Sequence, residues 1–161
     1  MSGKARRAIF GALIVAAWAI PGVSTPVAAE SMSCTAEGDF VANPGLSTTP
    51  SSGTFGSDPG PLDCKGIKGT MTFAGNYGTK DPDTCSSGGE GTSTNTYKFT
   101  DGTVTDEVEF TYGPFQGGAL GGSFKGARSS GTFEVTSIEG DCVTKPLSKA
   151  HASFKNVVIK R

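Results

Sequence analysis

Apolar and polar residues alternate with a period of two through most of the chain, the spacing that puts one face of a β-strand into a core and the other into water. Between Ile67 and Tyr77, the residues Ile67, Met71, Phe73 and Tyr77 share a face. Lys68, Thr70, Thr72 and Asn76 take the other, and Gly69 and Gly75 interrupt the apolar side. A Thr-rich run from Thr92 ends in Tyr97 and Phe99. Asp101-Gly102 follows, a pair that tolerates positive φ at both positions and predicts a two-residue hairpin turn. The return run is the cleanest amphipathic strand, with Val104, Val108, Phe110 and Tyr112 on one face and Thr103, Thr105, Glu107, Glu109 and Thr111 on the other. Further strands are predicted over Glu37–Ala42, Ala119–Lys125, Thr132–Ile138 and Ser153–Ile159, and no segment after residue 30 carries a helical period.

Seven short strands at this spacing predict an all-β fold. The expectation is a single small antiparallel β-barrel, with a β-sandwich as the alternative. Glycine tips the choice. Gly69, Gly75, Gly122 and Gly126 fall inside strand patterns, where glycine marks bulges and the sharp coiling a small barrel needs to close. The segments Asn43–Pro61 and Gly78–Gly91 are rich in Pro, Gly, Ser and Asp and read as long surface loops.

The first residues follow a different rule. Lys4, Arg6 and Arg7 precede a 12-residue apolar run, Ile9 to Ile20, and small residues lead to Ala28-Ala29. That is the plan of a cleaved secretory leader, and the run is shorter than the roughly 20 residues a membrane-spanning helix needs. The expected division is a leader over residues 1–29 and one domain over 30–161. Arg6-Arg7 leaves both the general and the twin-arginine export routes open.

Without the leader, 11 Lys and Arg face 15 Asp and Glu, a net charge of −4. A mildly acidic domain is not built to grip nucleic acid or anionic membranes. All four cysteines, Cys34, Cys64, Cys85 and Cys142, lie after the leader, at gaps of 30, 21 and 57 residues. Such gaps do not suit zinc and predict two disulfides in an oxidising compartment. Three pairings are possible. Sequential pairing, Cys34–Cys64 with Cys85–Cys142, needs the least chain crossing.

The residues offer little chemistry. His151 is the only histidine and no G-x-S-x-G elbow is present, so serine catalysis and a histidine-rich metal site both lack their parts. Asp81-Pro82-Asp83 reads as a solvated turn rather than a calcium loop, which would need six or more oxygens at set spacing. Asp106 stands out, because alternation points it with Val104 and Val108 toward the apolar side. It is either a ligand contact or acid inside a barrel mouth, or a buried structural carboxylate. A carboxylate enzyme would need a second acid such as Asp39 or Glu134 in the same cavity.

The export leader, the four cysteines, the Gly-rich strands and the closing run Gly140-Asp141-Cys142-Val143-Thr144-Lys145-Pro146 resemble small secreted proteins of high-GC Gram-positive bacteria. The resemblance implies an extracellular setting and no particular chemistry. The expectation is a secreted, non-catalytic binding or surface-interaction module with no cofactor. Its partner would be a small molecule, a glycan or a protein. The alternatives are a carboxylate-dependent enzyme or a structural or antagonistic protein. A ligand end would be lined by Asp106, Tyr97 and Tyr112, with the long loops near Phe55 and Phe115 around its mouth.

Overall fold

The computed structural model of the protein describes residues 28–161, so residues 1–27 of the expected leader lie outside it. The strands are β1 (Ser31–Leu46), β2 (Gly53–Ser57), β3 (Gly60–Cys64), β4 (Ile67–Tyr77), β5 (Gly89–Phe99), β6 (Gly102–Tyr112), β7 (Ala119–Gly126), β8 (Ser129–Glu139) and β9 (Leu147–Lys160). Every pairing is antiparallel, and β9 returns to pair with β1 along most of its length, closing the sheet on itself. β2 and β3 together fill one position between β1 and β4, interrupted at Asp58-Pro59, where proline has no N–H to give to a ladder. The result is an eight-position up-and-down barrel.

The strands are longer than their apolar runs suggested. Asn43–Pro61 is largely strand rather than loop, and it includes Phe55. The hairpin turn between β5 and β6 is Thr100-Asp101, with Phe99 opposite Gly102. Relative to the Asp101-Gly102 turn expected above, the ladder is shifted by two residues, which keeps every side chain on its expected face. Ile67 follows the apolar face by alternation but sits exposed at the start of β4.

Closure of so narrow a barrel depends on glycine paired with aromatic residues. Phe55 lies opposite Gly75, Phe99 opposite Gly69, Phe110 opposite Gly91, Phe133 opposite Gly122, and Phe124 opposite Gly131. At Gly69, Gly91, Gly122 and Gly131 the ring covers the bare backbone of its partner, a known device for bending strands without losing core contact. A Cβ at Gly91 would stand 2.1 Å from the carbonyl oxygen of Asn76 and 2.4 Å from the Phe110 ring, so no larger residue fits.

Both disulfides form as sequential pairs. Cys34–Cys64 ties β1 to β3, and Cys85–Cys142 joins two loops at the opposite end of the barrel. On loop-entropy grounds each restrains the unfolded chain by about 4 kcal/mol. Two disulfides suit an oxidising compartment. Among the described residues no helix is long and apolar enough to cross a membrane.

Candidate functional site

The barrel has a closed end and a wide end. At the closed end two-residue turns join β3 to β4, β5 to β6 and β7 to β8. At the wide end the connections are 47–52, 78–88, 113–118 and 140–146. Of the largest fully buried side chains, Leu62, Met71, Tyr97, Val157 and Ile159 belong to the closed half, and Cys85 lies in the loops of the wide end. Toward the wide end the interior holds a cavity of about 110 Å³.

Half of the residues that line the cavity are aromatic. Phe40, Phe55, Phe110, Phe133, Phe154 and Phe73 form a closed circuit of ring contacts, with centroids 5.1 to 6.4 Å apart. Four of these contacts, Phe55–Phe110, Phe73–Phe154, Phe40–Phe73 and Phe110–Phe133, join strands that are not neighbours. Most pairs meet edge to face, the preferred arrangement of ring quadrupoles. Room remains because β5 gives little bulk here: its inward residues are Gly91, Ser93 and Asn95, while Phe73 and Phe110 project from the strands on either side.

Besides the Tyr77 and Tyr112 hydroxyls, the polar part of the wall is Ser93 and Asn95. The Ser93 hydroxyl donates to Asn95 Oδ1 at 2.9 Å, and Asn95 Nδ2 donates to the Tyr97 hydroxyl at 3.3 Å. Burial raises the Tyr97 hydroxyl above its ordinary pKa, and hydrogen bonds with Ser129 and Asn95 partly offset this.

The wide end is covered by segment 78–88. Its Cys85 donates its N–H to Ser47, accepts the N–H of Phe115, and is bonded to Cys142. One residue thus pins the other three wide-end connections. Within the same segment Asp83 is buried, and its Oδ2 accepts from the Tyr112 hydroxyl at 2.8 Å, Gly78 N–H at 2.9 Å and Glu90 N–H at 3.2 Å. Burial, then the hydrogen bond and negative charge of Asp83, push the Tyr112 hydroxyl far above its ordinary pKa.

The residues expected to line one ligand end therefore separate. Phe55 and Tyr112 border the cavity. Phe115 packs against the core within the covering loops and is not part of the cavity wall. Tyr97 lies below the cavity. Asp106 belongs to the closed end, where its Oδ2 accepts the Arg128 N–H at 3.1 Å, the Ser129 N–H at 2.7 Å and the Ser129 hydroxyl at 2.8 Å. It fixes the β7–β8 turn and does not border the cavity. Asp39 and Glu134 point outward, and Asp39 bonds His151 Nδ1 at 2.7 Å on the outer face.

Two features escaped the reading of the sequence. Asp83 is a buried structural acid rather than part of a solvated turn, and its only sequence sign was a place between two glycine-rich stretches. Ser93 and Asn95 sat in a Thr-rich strand whose polar residues all looked alike. Only the parity of Tyr97 and Phe99 marked them as inward. Among the described residues no group of three or more His, Cys, Asp or Glu side chains converges to hold a metal. No protein family, curated protein or solved structure matches the chain.

Proposed function

We propose that the protein is an exported, non-catalytic binding module that holds a small apolar molecule inside its barrel. The observation that carries this reading is the cavity of about 110 Å³ walled by phenylalanine rings. A folded interior normally packs without such space, because unfilled volume forfeits dispersion contacts. An apolar cavity of roughly 150 Å³ stays dry and takes up benzene, so this one is on the scale of a single ring. The two disulfides and the basic-apolar leader support export. The outward faces are polar, as in Thr103, Thr105, Glu107 and Glu109 of β6, which supports a barrel that works in water. A lipid-facing barrel carries an apolar outer band instead.

Thermal unfolding with benzene or toluene tests the reading. At ten times Kd a ligand stabilises the native state by about 1.4 kcal/mol, expected here as a rise of about 3–6 °C that grows with the logarithm of ligand concentration. Ala152 and Ala42 border the cavity, and Ala152→Leu or Ala42→Leu should fill it and abolish the rise while the protein stays folded. No rise with any small apolar molecule, or a rise that survives both substitutions, would defeat the proposal.

A further inference from the structure

The polar atoms of the cavity wall are not equally committed. Tyr77 donates its hydroxyl to the Pro44 carbonyl at 2.6 Å, and Tyr112 donates to Asp83. Ser93 donates either to Asn95 Oδ1 at 2.9 Å or to the Ala74 carbonyl at 3.3 Å. Asn95 differs. Its amide carries two donor hydrogens, one goes to the Tyr97 hydroxyl, and the other has no protein partner among the described residues. Asn95 is only 3% exposed, and the space it borders is the cavity. A buried donor left unpaired is a penalty that a leucine of similar shape would avoid, so the site is better suited to an occupant that accepts this hydrogen.

Charge narrows the occupant further. Among the described residues no Asp, Glu, Lys, Arg or His borders the cavity. The two buried carboxylates lie beyond it, one at each end, and each already accepts three donors on one oxygen. An anion would enter without a counter-charge, next to these negative groups. A cation would find no free carboxylate. The ring faces that would hold it are taken up by the edges of neighbouring rings.

We infer that the occupant is an uncharged, ring-sized molecule carrying one hydrogen-bonding oxygen, and that Asn95 donates to that oxygen. This rests on the binding reading above and adds a ligand class to it. A hydroxyl oxygen gains most, because it accepts from Asn95 Nδ2 and its own hydrogen can go to the Ser93 oxygen. The cavity admits one ring and its substituent and no fused second ring.

Titration calorimetry of the exported protein with benzene, phenol, benzoate and benzylammonium tests the assignment. Phenol should bind at least as tightly as benzene, and the two ions should not bind. Asn95→Leu should weaken phenol tenfold or more and leave benzene within twofold or tighter, since a site made to bond an oxygen discriminates through the partner it leaves unpaired. Should Asn95→Leu not fold, the side-chain amide resonances of Asn95 in the unaltered protein decide. Phenol should move one of the two amide protons downfield, and benzene should not. If Asn95→Leu affects phenol and benzene alike, or if benzoate binds as well as phenol, this inference is overturned and the binding reading stands. If neither benzene nor phenol binds the unaltered protein, both fall together.

Discussion

The two ends of the barrel use one chemical device in opposite directions. At the closed end, Asp106 sits on a strand and reaches out to the turn, taking the N–H groups of Arg128 and Ser129 and the Ser129 hydroxyl on a single oxygen. At the wide end, Asp83 sits on a loop and reaches in, taking the N–H groups of Gly78 and Glu90 and the Tyr112 hydroxyl. In the first case the sheet disciplines a short turn, and the interior behind it is packed solid with Leu62, Met71, Tyr97, Val157 and Ile159. In the second a long loop disciplines the strand ends, and behind it the interior keeps its cavity. Buried carboxylates thus secure both ends, and what differs is whether the bonded element is one that can open on its own.

The largest expected effect separates these roles. Asp106→Ala strands two backbone N–H groups and a hydroxyl in the closed end and should cost about 3–5 kcal/mol in urea unfolding, since each stranded donor costs about 1–3 kcal/mol. Asp83→Ala removes the same number of bonds, but segment 78–88 can open locally without unmaking the sheet, which caps its cost at about 1–3 kcal/mol. Hydrogen exchange should then speed up at Gly78 and Glu90 and leave β3, β4 and β9 near the closed end unchanged. Equal losses for the two variants would show that the wide-end loop is part of the cooperative core.

A smaller effect appears in alkali. Burial raises both Tyr97 and Tyr112 above the ordinary tyrosine pKa of about 10, and at Tyr112 the hydrogen bond and charge of Asp83 add to it. A raised tyrosine pKa favours the neutral form in the folded state. The stability it supplies is therefore full below pH about 10 and is lost as the pH climbs toward the folded value. Ultraviolet titration should find Tyr112 ionising after Tyr97, and only as the barrel unfolds. Asp83→Asn should bring Tyr112 down toward Tyr97. Ionisation of Tyr112 near pH 10 in the folded protein would mean that the Asp83 contact is not made.

Much of the barrel was legible in the chain. The β5–β6 hairpin carried its register in bulky residues, so its inward face could be read even with the turn misplaced. β2 and β3 were hidden for a physical reason. Their inward positions include Gly53 and Gly60, which contribute no side chain to an alternation pattern, and a Cβ at Gly60 would lie 1.8 Å from the Glu37 carbonyl oxygen. The start of β1 was masked in the same way by Ala36 and Gly38. The cavity was harder still. It arises where β5 fails to supply a large residue, and an absence of bulk at Gly91, Ser93 and Asn95 has no local signature. It becomes a space only when the aromatic residues of β4 and β6 flank it. Asp106 could be seen to point inward, but which end of the barrel it served depended on a strand pairing that alternation alone leaves free.

The most direct test of this division into a packed end and a receiving end is a methyl-resonance titration of the protein with phenol. Saturable shifts are expected at Val108, Leu120, Val135 and Leu147, which border the cavity, and none at Leu62, Val104, Val157 or Ile159. Shifts of equal size at both sets, or no saturable shift at either, would contradict the account.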